Sequence, residues 1–159
     1  MTDNFILFDV AGTTYALHSR DVTHIEMIDQ VTAVPNAPRF IDGVVFSRGQ
    51  VVPALNLRSR FGFDRAPFDV RTRLVVVQSQ GRQVGLVVDS AREFLSLGSS
   101  AFQPPGAGLG EQSGRFLAGV ANVSDRLILL LDLDAVLNTP DDLPVSSGPS
   151  EVEPWQAAK

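Results

Sequence analysis

A series of short apolar runs, several of them joined by connections too brief to hold a helix, limits what this chain can fold into. The runs are Phe5–Val10, Thr14–Leu17, His24–Ile28, Gly43–Phe46, Val51–Leu55, Leu74–Gln78, Val84–Val88, Phe116–Val120 and Leu127–Leu131. Each is of strand length and rich in β-branched or large apolar residues. Ala11-Gly12-Thr13 joins the first pair, Gln80-Gly81-Arg82 joins Leu74–Gln78 to Val84–Val88, and Asn122 to Asp125 joins the last pair. Links this short connect antiparallel neighbours, because a parallel crossover needs about a dozen residues. Helical pattern is confined to about one turn at Leu57-Arg58-Ser59-Arg60-Phe61 and another at Asp132-Leu133-Asp134-Ala135-Val136-Leu137, the latter with acidic residues at its start. The expectation is an all-β fold with one or two short helices.

Two of the runs do not alternate. Leu74-Val75-Val76-Val77 and Leu127-Ile128-Leu129-Leu130-Leu131 are apolar throughout. A strand wetted on one face would alternate, so these strands are expected to be covered on both sides. Two small barrels packed together would do that, each too small, at roughly 60 to 70 residues, to be more than marginally stable alone.

Composition removes several function classes. With no cysteine among 159 residues, disulfides, thiolate metal sites and cysteine nucleophiles are excluded. Of the 13 basic residues only Lys159 is a lysine, and the arginines are scattered from Arg20 to Arg126 against a net charge of −5. That distribution lacks the basic footprint of nucleic-acid binding. No apolar run approaches the roughly 20 residues of a membrane helix. The apolar stretch after Met1-Thr2-Asp3-Asn4 breaks at Asp9, too early for a signal peptide, so a cytoplasmic protein is expected.

Chemical motifs are weak. His18 and His24 lie on separate segments without ligand spacing. Asp132-Leu133-Asp134 lacks the glycine and distal glutamate of a calcium loop and reads as a helix start. Gly106-Ala107-Gly108-Leu109-Gly110 follows Pro104-Pro105 instead of a strand, which suits a connector better than a phosphate cradle. No Gly-x-Ser-x-Gly occurs. The expectation is therefore no catalytic residue, no cofactor and no metal. Gly98 to Arg115 reads as a loop. Residues 139–159 read as a flexible, acidic, Pro- and Ser-containing tail, in which Trp155 could serve as a docking motif for a further partner.

The informative stretch runs from Val34-Pro35-Asn36-Ala37-Pro38 through Phe40-Ile41-Asp42-Gly43-Val44 to Asn56-Leu57-Arg58. Two prolines hold an extended approach, and Gly43 lets the chain enter a strand. Arg48-Gly49 reads as a turn that holds up an arginine, whose planar fork suits a carboxylate across a protein interface. The alternative reading at this point is a stand-alone small-ligand-binding barrel or enzyme, which would need a pocket with converging polar groups.

The ordered series of motifs resembles CheW-like coupling domains of bacterial chemotaxis, which typically read Phe-Ile-x-Gly-x-x-Asn-Leu-Arg-Gly-x-x-x-Pro-x-x-Asp-Leu-Arg. Phe5-Ile6-Leu7-Phe8 with Tyr15-Ala16-Leu17, Val22-x-x-Ile25, Gly81-x-x-Val84-Gly85-Leu86-Val87-Val88-Asp89, Phe116-Leu117-x-Gly119-Val120 and Leu131-Asp132 extend it over about residues 4 to 138. The resemblance implies two intertwined five-stranded SH3-like β-barrels spanning residues 1–138. It also implies a non-catalytic adaptor between the regulatory domain of a CheA-type histidine kinase and the cytoplasmic tips of methyl-accepting chemotaxis receptors, recruited to membrane arrays without inserting into the bilayer. By position, Val22, His24 and Gly43 fall where kinase contacts are commonly placed. Arg48, with Gly49, falls on the coupling turn, and Leu74, Gly85 and Phe94 fall where receptor contacts are commonly placed. The chain departs from the pattern at Phe46-Ser47, at Asn56 and at His24, which leaves flagellar, pilus-based and developmental pathways open.

Overall fold

The computed structural model describes residues 2–28, 30–98, 100–106 and 114–138. Ten strands dominate: β1 (Thr2–Val10), β2 (Thr13–His18), β3 (Val22–Met27), β4 (Ile41–Ser47), β5 (Gln50–Asn56), β6 (Arg73–Ser79), β7 (Arg82–Val88), β8 (Ser90–Gly98), β9 (Leu117–Val123) and β10 (Arg126–Leu131). Helical pieces among the described residues include a 3-10 turn at Ser19–Asp21 and two short helices, α1 (Leu57–Arg60) and α2 (Leu133–Leu137). The two expected helical turns are α1 and α2. Their N-caps are side chains: Asn56 accepts from the Ser59 N–H and Asp132 from the Ala135 N–H.

The strands form two five-stranded sheets, ordered β8-β1-β2-β10-β9 and β3-β6-β7-β5-β4. The chain starts the first sheet, builds the whole of the second, then returns to finish the first, so the units are intertwined. Each sheet curls until its end strands meet. Beyond β3, Thr32 and Val44 exchange backbone hydrogen bonds of 2.9 and 2.8 Å. Beyond β8, Gln103 and Val120 exchange two of 2.8 Å. Closing the sheets this way leaves fewer unpaired edges for other chains to find. The fold is the expected all-β pair of five-stranded units.

The hairpins share one turn chemistry. Ala11-Gly12, Arg48-Gly49, Gln80-Gly81 and Ser124-Asp125 all have both residues at positive φ. That is the two-residue turn whose twist matches the flanking strands. Each unit also contains a parallel pair, Ala54↔Gly85 in one and Leu129↔Tyr15 in the other. The hairpins are legible from spacing; the parallel pairs join segments far apart in sequence and are not.

Burial explains the non-alternating runs. Val75 and Val77 enter a large core between the two units, together with Phe8, Val10, Leu17, Leu86 and Leu131. Leu74 and Val76 face the other way, into the second barrel, with Ala54 and Val87. Ile128 and Leu130 fill the first barrel with Phe5 and Leu7. Strands at the joint are thus covered on both faces. Leu127 is the exception to that expectation: it is 59% exposed, two residues from the Ser124-Asp125 turn. A second correction is β8 at Ser90–Gly98, which the sequence reading did not contain. Its polar residues interrupt the apolar pattern, yet β1 supplies a partner from Thr2↔Gly98 to Asp9↔Ser90.

Arginines of α1 pin the units together. The Arg58 guanidinium donates to both Asp89 oxygens, at 2.9 and 2.8 Å, while the Ala11 N–H donates to Asp89 at 2.8 Å. The clamp joins α1, the β1–β2 turn and the β7–β8 corner. Burial pushes the Asp89 carboxyl up, but the Arg58 and Ala11 hydrogen bonds and the Arg58 charge outweigh it and hold it below its ordinary value. A carboxylate lowered in the folded state adds stability above its unfolded pKa of about 3.9 and loses it as pH falls through the lower folded value. Melting temperature is therefore expected to fall on acidification through this range, and less steeply in Asp89→Asn. Parallel pH profiles of wild type and Asp89→Asn by circular dichroism would contradict this.

Candidate functional site

Four of the residues singled out from the sequence, Gly43, Arg48, Gly49 and His24, lie along the seam where β3 and β4 close the second barrel. Gly43 and the Arg48-Gly49 turn belong to the β4–β5 hairpin, and Val22 and His24 to β3. His24 Nε2 lies 3.0 Å from Glu26 Oε2 and 3.1 Å from Ser47 Oγ. The Ser47 hydroxyl also donates to Glu26. Ser47 is buried, so the strand turns a hydroxyl inward and leaves Phe46 73% exposed. Two of the departures from the family pattern, His24 and Ser47, thus touch each other and form one polar closure.

This closure holds the Arg48 hairpin. Arg48 is exposed at the tip, with φ at 50°. Burial pushes the Glu26 carboxyl up, but hydrogen bonds from Ser47 and His24 and the charges of His24 and Arg48 hold it below the usual carboxylate value. Arg48 thus sits in the field of Glu26, at the edge of an exposed cross-strand pair, Phe46 opposite Val51. The arrangement offers a fixed cation beside an apolar strip, which suits recognition of a protein surface carrying a carboxylate next to apolar side chains.

The other residues act differently. Gly43 is interior: a β-carbon there would lie 2.1 Å from the Thr32 carbonyl oxygen. Leu74 is 1% exposed, and Gly85 packs on it so closely that a β-carbon would meet Leu74 Cδ1 at 2.6 Å. Neither offers area to a partner, so they shape the barrel wall. Val22 is partly buried against the core between the units. Phe94 is 73% exposed on β8 of the first unit, away from the Arg48 hairpin. Glu26 and Val51 carry no sequence signal of their own, and Phe46 and Ser47 stand out in the sequence only as departures from the family pattern. The readable signal was the inverted alternation at the end of β4, a phenyl outward and a hydroxyl inward.

Asn56, the third departure, also has a reason. Its Nδ2 donates to Asp42 Oδ2 at 2.8 Å while its Oδ1 caps α1. An aspartate there could cap but could not donate, and would set two carboxylates face to face. Among the described residues no group of three or more metal-ligating side chains occurs. No helix among them is long and apolar enough to cross a membrane. Residues 139–159, with Trp155, and 107–110 of the glycine-rich stretch lie outside the described residues.

The comparisons agree with this architecture. A family model described as a CheW-like domain matches residues 4–141. The chain is 30% identical over 135 residues to "Chemotaxis protein CheW" of Klebsiella aerogenes, covering 85% of this chain and 81% of that protein. It is 27% identical over 136 residues to "Chemotaxis protein CheW" of Bacillus subtilis, covering 86% and 87%. It is 29% identical over 137 residues to "Protein FrzA" of Myxococcus xanthus, covering 85% of each. Among solved structures it resembles scaffolding protein TtCheW from Thermoanaerobacter tengcongensis, with a TM-score of 0.80 and 26% identity, covering 87% of this chain and 94% of that one.

Proposed function

The chain belongs to the CheW-like family, and from that premise we propose that it is a non-catalytic adaptor coupling chemoreceptors to a CheA-type histidine kinase. One observation carries the reading: the family match spans residues 4–141, which includes every strand of both units beyond the first residues of β1. A shared motif could be borrowed; two interlocked units in the same order are much harder to borrow. The small-ligand alternative has less support. The relatives matched over most of the chain are named as chemotaxis and scaffolding proteins.

In this reading the Arg48 hairpin, with Gly49 and the His24–Glu26–Ser47 closure behind it, meets the kinase regulatory domain. Phe94 offers an apolar contact on the other unit to the receptor tip. Val22, Gly43, Leu74 and Gly85 keep the surfaces in shape. Single contacts need only be micromolar, about −8 kcal/mol, because a lattice of repeated contacts multiplies them. The protein works at membrane arrays through its partners.

Arg48→Glu is expected to weaken binding to the kinase regulatory domain by roughly 30-fold, about 2 kcal/mol, with an unchanged melting curve. A pull-down followed by titration reads this, together with kinase activity when receptor is added. Normal coupling by Arg48→Glu would remove Arg48 from the interface. Failure of the wild-type protein to bind the kinase or change its activity would overturn the adaptor reading.

A further inference from the structure

The apolar strip beside Arg48 neighbours the strand that holds Asn138, the last described residue. Phe46 and Val51 are 73% and 47% exposed and oppose each other across β4 and β5. β5 runs parallel to β7, with Ala54↔Gly85 and Leu55↔Leu86. Val51 and Arg82 each stand three residues before that pairing begins, on these two neighbouring strands. Arg82 donates through Nη2 to Asn138 Oδ1 at 3.2 Å, and Ser79 donates to Asp134 of α2 at 2.7 Å. The last described residue is therefore held by the strand that neighbours the strip.

The sequence from there on complements the strip. Residues 139–159 carry Asp141, Asp142, Glu151 and Glu153 against a single basic residue, Lys159. They also carry Leu143, Val145, Val152 and Trp155. The strip offers Arg48 and Arg82 at its margins and apolar side chains between them. Trp155 stands 17 residues beyond Asn138. Seventeen residues span on the order of 20–25 Å in the random-coil limit, ample for a surface one or two strands away. Tethering at that range gives an effective concentration of order millimolar, so a weak contact suffices.

We propose that the segment 139–159 folds back over this strip, seating Trp155 against Phe46 and Val51 with Glu151 and Glu153 toward Arg48 and Arg82. The occupant is the chain's own terminal segment. It leaves from beside the strip, carries the opposite charge, and supplies a large aromatic side chain for the uncovered apolar pair. The consequence that the segment competes with a partner at the Arg48 hairpin rests on the adaptor reading. The docking itself does not.

Trp155 is the only tryptophan in the chain, so its fluorescence reports its surroundings directly. In the full-length protein its emission is expected to be blue-shifted, and less quenched by acrylamide, relative to a free peptide of residues 139–159. Phe46→Asp and, separately, Arg82→Glu should each return emission and quenching toward the peptide values while far-UV circular dichroism stays unchanged. The wild-type signal should not vary on dilution. Peptide-like emission from the intact protein, or a blue shift untouched by Arg82→Glu, would overturn the proposal. A blue shift lost on dilution would do so too, and would make the occupant a second copy. No kinase or receptor enters the measurement, so its failure is distinct from failure of the adaptor reading.

Discussion

Replacing Arg60 with alanine is expected to lower folding stability by about 4 kcal/mol, which places it among the most damaging single changes available to this chain. Arg60 is 5% exposed. Its guanidinium lies 4.5 Å from the ring centroids of both Phe40 and Phe116. Phe40 precedes β4 and Phe116 precedes β9, so one cation is held between the entrances of the two units. Nε donates to the Val136 carbonyl at 2.8 Å and Nη2 to the Ala135 carbonyl at 3.3 Å. These are carbonyls of the last turn of α2, which lack partners within the helix. Desolvated cation–π contacts contribute about 2 kcal/mol and hydrogen bonds to a charged group about 1.5–3 kcal/mol each, and such terms are not additive. Arg60→Lys keeps the charge but loses the planar fork, so it should recover only part of the loss. Urea denaturation measures both variants. An alanine variant within about 1 kcal/mol of wild type would show that the joint does not depend on this side chain.

Gly43→Ala is expected to cost about 3 kcal/mol, combining overpacking with a backbone angle that L-residues avoid. Gly43 has φ of 150°, and its missing β-carbon would sit 2.1 Å from the Thr32 oxygen, 2.7 Å from the Thr32 carbon and 2.9 Å from Val31 Cγ1. The Thr32–Val44 bridge that closes the second barrel requires that approach. Gly119 supplies an internal control at the matching bridge of the first barrel. A β-carbon there would meet Phe102 Cβ at 3.1 Å and the Gln103 oxygen at 3.3 Å, contacts that a small shift relieves. Gly119→Ala should therefore cost clearly less than Gly43→Ala in thermal denaturation. Equal costs would mean that the bridge geometry does not set the penalty. The comparison also bears on function. A coupling defect in a Gly43 variant would report a broken barrel before it reported a lost contact.

The correspondence between Gly43 and Gly119 belongs to a wider one. Phe40-Ile41-Asp42-Gly43-Val44 and Phe116-Leu117-Ala118-Gly119-Val120 enter hairpins that turn at Arg48-Gly49 and Ser124-Asp125. Both continue to Leu55-Asn56-Leu57 and Leu131-Asp132-Leu133, where the polar residue caps a one-turn helix. This repeat was legible in the sequence, because glycine, turn and cap recur at identical spacing.

Local physics made other features readable. Gln80-Gly81 and Arg48-Gly49 announce their turns, and Leu74–Val77 announces a strand with two buried faces. β8 stayed hidden because Ser90, Arg92 and Glu93 break its pattern, and its strand state depends on β1 alongside it. At the candidate site, the exposed arginine could be inferred from its turn. The His24–Glu26–Ser47 closure could not, because it forms only when the sheet rolls and its end strands meet.

The interleaved strand order sets the sequence in which the two units can be completed. β3 to β7 form a continuous stretch, so the second barrel can close on itself as soon as its own residues are available. The first barrel cannot. Tyr15 of β2 waits for Leu129 of β10, on the order of a hundred residues later. Closing so long a loop is slow, because entropy is lost before the contacts form. A chain emerging from the ribosome would therefore carry an unsatisfied edge on the β1–β2 hairpin until β10 had been made. That interval, more than anything in the finished molecule, is when the protein is most exposed to pairing with the wrong strand.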